Sequence, residues 1–302
     1  MRLVDIKKDF RRNKALYVLA LPIMLYFIIF AYIPMVGNIM AFQRFSPAKG
    51  IFGSPWVGLD NFRDFFSSYY FVRLIRNTFL ISVYDLIFGF PAPILLALLL
   101  NEVNNKYFKR SIQTITYMPH FLSLVVVAGI IINFTDSNGV ITSIVAFFGG
   151  EKQNLLGRPE NFRTIYVASG IWQNVGFGSI IFLAALSGIN KELYEAAAID
   201  GANKLKQTWY ITLPTIASTI IVMLILRVGT IMAVGFEKII LLYSPATYET
   251  ADVISSFIYR KGLQEFNYGY STAVGMFNSI INFILLLFTN YLSRKFTETS
   301  LF

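Results

Sequence analysis

Six long stretches of this chain carry almost no charge, and that feature constrains its fold more than any other. Ala15–Ile39, Ser111–Thr135, Thr164–Asn190 and Phe266–Ser293 contain no Asp, Glu, Lys or Arg. Thr78–Leu100 contains only Asp85, and Ile211–Phe236 only Arg227. A helix crosses the hydrocarbon core with about 20 apolar residues, so each run is long enough to span a membrane. Only 14% of the 302 residues are charged, and the charges gather between these runs. A single water-soluble core would carry about a quarter charged residues, spread along the chain. The expected fold is therefore all-α and integral to the membrane, with six transmembrane helices at about 15–39, 78–100, 111–135, 164–190, 211–236 and 266–293.

The direction of the spans follows from Lys and Arg, which accumulate in short cytoplasmic segments. With the N-terminus inside, the inner segments are 1–14, 101–110, 191–210 and 294–302, and they hold 14 basic residues in 53 positions. The outer segments 40–77, 136–163 and 237–265 hold 11 in 95. Both termini, the tails 1–14 and 294–302, are therefore expected in the cytoplasm, flanking a membrane domain at 15–293. The first run is longer than a signal-peptide core and lacks a small-residue cleavage site, so it is expected to remain as a helix. In the first outer loop, residues 65–75 are aromatic and amphipathic enough to lie along the membrane surface.

Composition also excludes chemistry. There is no cysteine, and His120 is the single histidine, so thiolate and histidine-cluster metal sites are not available. The net charge of +9 follows membrane topology and does not call for nucleic acid. No nucleophile–base arrangement or carboxylate pair stands at a meaningful spacing, and no phosphate-binding Gly-x-x-x-x-Gly-Lys-Ser/Thr loop occurs. The chain is expected to be neither an enzyme nor an ATPase, and to hold no cofactor of its own.

One cytoplasmic segment, about 190–206, has local features of a short docking helix. Asn190 suits an N-cap, and Glu192 and Glu195 lie in the first turns, where the helix dipole favours negative charge. Ala196, Ala197 and Ala198 favour helix and leave a low surface that another protein can approach. Gly201 can take the left-handed conformation that ends a helix, and Pro214 suits the first turn of the next one. A plain surface connector would have the same features.

The spacing is more specific. Glu195-Ala196-Ala197, then Gly201, then Ile211-x-Leu213-Pro214, resembles the EAA loop of bacterial ABC importer permeases, in the family position before the last two spans. Val57–Phe62, Arg76–Phe79, Ala97–Glu102 and Tyr117–Leu122 resemble sugar-importer permeases of the maltose type. Gly235–Ile239, Tyr248–Thr250 and Tyr259–Leu263 are similar to a narrower group, the polysaccharide and complex-oligosaccharide permeases. The large outer insertion of the maltose type and its extra N-terminal helices are not expected here, so contacts made by that insertion are not carried over.

The resemblance implies a type I ABC importer permease fold with a cytoplasmic coupling helix. It implies that Glu195, Ala196, Ala197, Asp200, Gly201, Leu213 and Pro214 couple the membrane domain to an ATPase, with Glu195 a polar anchor. It also implies four kinds of partner: a second, related permease in a heterodimer, two ATPase subunits that bind ATP and Mg, an extracellular solute-binding protein, and an oligosaccharide to be carried into the cell. Two alternatives stand beside this reading. One is an ion-coupled secondary transporter, for which Asp85 is the sole available carboxylate in the spans and no inverted repeat is evident. The other is an ABC permease for a non-sugar solute such as glycerol phosphate.

Two charges lie inside the spans. Each costs roughly 2.5–3.5 kcal/mol at a helix centre, so each needs a partner or water. At about 1.5 Å per residue, Asp85 and Arg227 sit roughly 10 and 14 Å below the outer ends of their runs. They can lock two helices as an ion pair, line the substrate path, where Arg227 would suit a uronate, or face the partner permease. Trp172, Gln173 and Asn174 combine an aromatic face with hydrogen-bonding groups, which suits a sugar site and equally suits helix packing. Asn278 and Asn282 share one helix face and are more simply packing residues, although Asn278 is retained as a path candidate. His120, after Pro119, is expected to be structural.

Overall fold

The computed structural model describes residues 12–232 and 234–297. Parts of both expected cytoplasmic tails, residues 1–11 and 298–302, lie outside the described residues. Among the described residues the regular elements are all helices and no strand forms. Five helices are long and apolar enough to cross a membrane, or six if one bent pair counts as a single span.

The elements used below are α1 (Lys14–Phe42), α2 (Phe71–Glu102), α3 (Lys106–Tyr117), α4 (Leu124–Thr135), α5 (Pro159–Ser187), α6 (Lys191–Ile199), α7 (Lys204–Thr215), α8 (Ala217–Gly229), α9 (Phe236–Leu242) and α10 (Tyr268–Thr297). Two compact units divide the chain.

The first unit comprises the described residues up to Ser67 together with Arg260–Met276. Its α1 is apolar on every side and exposes Leu19, Ile23, Phe27 and Phe30 within this chain, the pattern of a helix surrounded by lipid or by another membrane helix. Below it the Asn61 amide donates to the Ala41 and Gln43 carbonyls (2.8 and 3.0 Å) and ties the loop down. Residues 65–75 do not form one surface helix. The helix Asp60–Ser67 ends there, its Phe65 is fully buried, and α2 begins at Phe71.

The second unit, Ser68–Tyr259 with the chain from Phe277 onward, contains the remaining spans. Its helices are broken where the sequence denies a regular ladder. In α2 the Phe90 amide reaches back five residues to the Asp85 carbonyl (3.0 Å), giving a wide turn just before Pro91 and Pro93. Proline removes the i→i−4 donor and its ring crowds the preceding turn, so the helix widens there. The stretch 111–135, expected as one span, is two helices. Pro119 stands in the tight turn Met118–Phe121, and Ser123 caps α4 by accepting from the Val126 amide (3.3 Å). The apolar helical stretch there runs on from Leu124 to Phe147.

The stretch 211–236 is likewise not one helix. It divides into α7 and α8, which meet at an angle of 64° around Ile216. Pro214 was expected in the first turn of this span. Instead it lies close to the end of α7, two residues before the bend, and a wide turn over Thr208–Thr212 precedes it. Its missing donor and its ring act on the preceding turn, around the Tyr210 carbonyl, and the helix widens there over Thr208–Thr212.

Close approach of helices depends on glycine. A Cβ on Gly176 of α5 would overlap the Thr116 carbonyl of α3, and one on Gly229 would press on Leu286 of α10. Small residues at such crossings let membrane helices pack backbone to backbone.

Candidate functional site

The wide turn in α2 places Asp85 on a surface that α8 also reaches. Arg227, in the last turn of α8, pairs with the Asp85 carboxylate. A cation at a helix C-terminus is favoured by the helix dipole, and the carboxylate completes its neutralisation. Gly89 makes room for this arrangement, because a Cβ there would strike the Asp85 carboxylate.

Beyond Gly229 the chain leaves helical geometry, and in the interior of a membrane protein every exposed backbone group needs a partner. Here side chains supply them. Ser82 donates to the Ile231 carbonyl, Asn282 accepts from the Met232 amide (2.9 Å), and Ser255 donates to the Val234 carbonyl (2.8 Å). Asn282 thus holds the break as a structural group. Irregular backbone at such depth is tolerated where it is enclosed by protein or lines a cavity.

A cavity of about 620 Å³ lies against this break, between α2, α5, α8 and α9. Asp85, Gln173, Asn174 and Arg227 line it, together with Tyr166, Gly170 and Lys238. Phe90, Pro93, Phe182 and Met223 contribute apolar wall. A mostly apolar cleft with a few converging polar groups is the usual form of a small-ligand site. On α5, Tyr166, Gly170 and Asn174 recur at intervals of four, so one face of that helix presents them together.

Lys238 was not among the candidates, because it stands in what reads as an outer loop. It is 8% exposed. Its ammonium donates to the Tyr166 carbonyl (3.0 Å) and sits 4.8 Å from the centre of the Tyr166 ring. Lys238 lies outside the candidate spans; burial pushes its pKa down to about 8, with the Asp85 charge opposing that shift. Its segment, Gly235–Ile239, carried part of the family resemblance, but nothing in it placed the side chain in a cavity, since the break after α8 is what turns α9 inward.

The other candidates lie elsewhere. Trp172 is 42% exposed and does not line the cavity, although its neighbours Gln173 and Asn174 do. Asn278 is buried in α10 away from the lining, and its amide oxygen has no hydrogen-bond partner among the described residues. His120 is structural: its Nδ1 is 3.0 Å from the Asn174 amide oxygen, and its ring stacks on Phe177 at 4.0 Å. That contact braces Asn174 from behind the cavity wall.

At the opposite end of the unit's helices, the segment 190–214 is folded as its residues dictate. Asn190 caps α6 by accepting from the Glu192 amide (3.0 Å). Gly201 has φ +76°, and the Gly201 and Ala202 amides donate to the Ala198 and Ala197 carbonyls (3.1 and 2.8 Å). These two bonds form the closed helix ending that a left-handed residue permits. Glu195, Ala196, Asp200 and Gly201 are exposed, whereas Ala197 and Leu213 are half-buried. The Tyr194 hydroxyl meets the Thr212 hydroxyl at 2.9 Å, which ties α6 to α7, and Lys204 pairs with Glu102 at the end of α2 (3.1 Å).

Residues 89–298 match the family described as "Binding-protein-dependent transport system inner membrane component". The chain is 45% identical to Protein LplB of Bacillus subtilis (strain 168), over 97% of its own length and 92% of that protein. It is 43% identical to the polygalacturonan/rhamnogalacturonan transport system permease protein YteP of the same organism, over 96% of this chain and 91% of that one. Among solved structures, a chain of a bacterial alginate ABC transporter in complex with alginate pentasaccharide-bound periplasmic protein superposes with a TM-score of 0.90 at 46% identity, covering 97% of this chain and 99% of that chain. This chain therefore belongs to the binding-protein-dependent transport system inner membrane components, the multi-pass permeases of ABC transporters.

Proposed function

We propose that this chain is one of two related permease subunits in an ATP-driven importer of oligosaccharides that carry carboxylates. The observation that carries the reading is the charged cavity against the break after α8, in a chain whose relatives include a polygalacturonan/rhamnogalacturonan permease and a component of an alginate transporter. Uronate oligomers offer two chemistries to such a wall. Their hydroxyls need donors and acceptors such as Gln173 and Asn174, and their carboxylates need a cation.

In this reading both termini are cytoplasmic and a loaded binding protein docks on the outer segments. Two ATPase subunits, which hold ATP and Mg, grip α6 from the inside. Glu195 is the polar anchor in the ATPase cleft, and Ala196 and Ala197 allow close approach. The helix ending at Gly201 and the Tyr194–Thr212 contact make α6 and α7 one lever. Movement of that lever reaches α8 through the bend at Ile216, and so reaches Arg227 and the cavity. Energy enters as differential affinity of ATP for two states of the assembly, so this chain needs no catalytic group or cofactor. Membership of the ABC permease family argues against ion-coupled secondary transport.

The test is uptake of labelled digalacturonate by proteoliposomes containing the assembled transporter, with loaded binding protein outside and ATP inside. Uptake that requires all of these, and that is lost in Glu195→Lys with the assembly still in the membrane, is the expected result. Uptake driven by a sodium or proton gradient without ATP would refute the reading.

A further inference from the structure

The cavity contains two cations, and they are not equivalent. Arg227 is paired with Asp85, so those two charges cancel. Lys238 is buried, and among the described residues its ammonium has one neutral acceptor, the Tyr166 carbonyl, with no carboxylate within ion-pair distance. An ammonium has three donors, so two remain for a ligand. Burying a charged group without a counter-ion is costly. The surroundings meet that cost only in part, through one carbonyl, the face of the Tyr166 ring and the Asp85 charge, which lies beyond ion-pair distance and is already engaged by Arg227.

Room for a ligand is also provided. Gly170 lies one turn beyond Tyr166 on α5, and a Cβ there would sit 3.5 Å from the Lys238 ammonium. A larger residue would cover that nitrogen.

We propose that Lys238, and not the Asp85–Arg227 pair, gives this cavity its preference for anionic sugars, by donating from its ammonium to a carboxylate of the passing oligosaccharide. The inference rests on the import reading above and assigns that reading's substrate selectivity to one residue. Physically, the pair leaves no net charge, so the single excess charge of the cavity wall is that of Lys238. A sugar carboxylate supplies the contact counter-ion that Lys238 does not have among the described residues. The Asp85–Arg227 pair then serves to hold α2 to α8.

The experiment is equilibrium binding by titration calorimetry to the assembled transporter in nanodiscs, without binding protein. The probes are digalacturonate and its dimethyl ester, which keeps the hydroxyls and removes both charges. The wild type is expected to prefer the acid by about tenfold or more, the usual worth of a charge-assisted hydrogen bond. Lys238→Gln is expected to bring that preference close to one while leaving ester affinity within about threefold. Lys238→Arg should restore it. Asp85→Asn combined with Arg227→Gln, which removes both charges of the pair, should retain the acid preference whatever its overall affinity. Co-purification of the partner subunits with each variant shows that it is assembled.

Three results would overturn the assignment: no acid preference in the wild type, an equal fall for acid and ester in Lys238→Gln, or loss of the preference in the double variant with retention in Lys238→Gln. The proteoliposome assay separates this from the parent reading. ATP-dependent uptake with any of those three binding results removes the role of Lys238 and leaves the importer standing.

Discussion

Asp85 in α2 and Arg227 in α8 stand 142 positions apart and form an ion pair on the wall of one cavity. Each charge is tolerable within the spans because the other is there. Neutralising one alone leaves the other uncompensated, whereas removing both does not. Asp85→Asn and Arg227→Gln should therefore each lower the thermal stability of the detergent-solubilised assembly, and the double variant should recover part of the loss. A double-mutant cycle is expected to give a coupling of about 0.5–3 kcal/mol, towards the lower end because Arg227 is half-exposed. Strictly additive losses would show that the pair is not formed.

Gly89 tests the same geometry from the backbone side. Gly89→Ala places a Cβ against the Asp85 carboxylate and should displace it from Arg227. Gly129→Ala in α4 is the control, because a Cβ there meets nothing within 4 Å. The first should reduce both stability and uptake, and the second should change neither beyond about 0.5 kcal/mol or its equivalent in rate. Equal behaviour of the two in a thermal-shift and uptake comparison would contradict the packing described here.

The segment proposed to couple this chain to its ATPases yields a third expectation. Gly201→Asp forces a side chain into a left-handed position and adds a charge at the end of α6. Membrane insertion should persist, but uptake should fall by more than tenfold. Tyr194→Phe removes only the hydroxyl that meets Thr212. It should loosen α6 from α7 and lower the sugar moved per ATP hydrolysed, with a smaller effect on hydrolysis itself. Simultaneous measurement of both rates separates a loose lever from a lost docking site.

Lys238 carries a pH dependence whose sign can be worked out. Its pKa is pushed down to about 8 by burial, so the ammonium is mostly charged below that pH and mostly neutral above it. The charged and titratable groups around it in the cavity are Asp85, Arg227 and Tyr166. An arginine at this position stays charged throughout the range, so comparison with Lys238→Arg separates the lysine from the groups around it. Uptake of digalacturonate should decline as the pH rises from 7 to 9, and Lys238→Arg should flatten that decline. A decline of the same size in the arginine variant would assign it to another group.

Much of this molecule was legible in local sequence. The cap at Asn190 and the helix ending at Gly201 each depend on residues a few positions apart, and both formed where their residues stand. The depth arithmetic for Asp85 and Arg227 put them at a similar level because rise per residue is a constant of the helix. It could not say that they touch, since that depends on how two helices are rotated against each other. Pro214 was misplaced for a related reason. Proline is most at home in the first turn of a helix, and no local feature says that the helix carrying Pro214 has already begun at Lys204 and bends after Thr215.

What the sequence by itself determined is the class of fold, its apolar runs and the form of the segment at 190–201. Each of these follows from interactions of residues with their near neighbours and with the solvent. Tertiary structure decided which groups share the cavity. It drew in Gln173 and Asn174, left Trp172 and Asn278 out, and brought Lys238 from an apparent outer loop to the wall beside Tyr166. The physical reason is the break after α8. It is held by Ser82, Asn282 and Ser255, side chains that belong to three distant parts of the chain. No local pattern specifies where such a break will turn the residues that follow it.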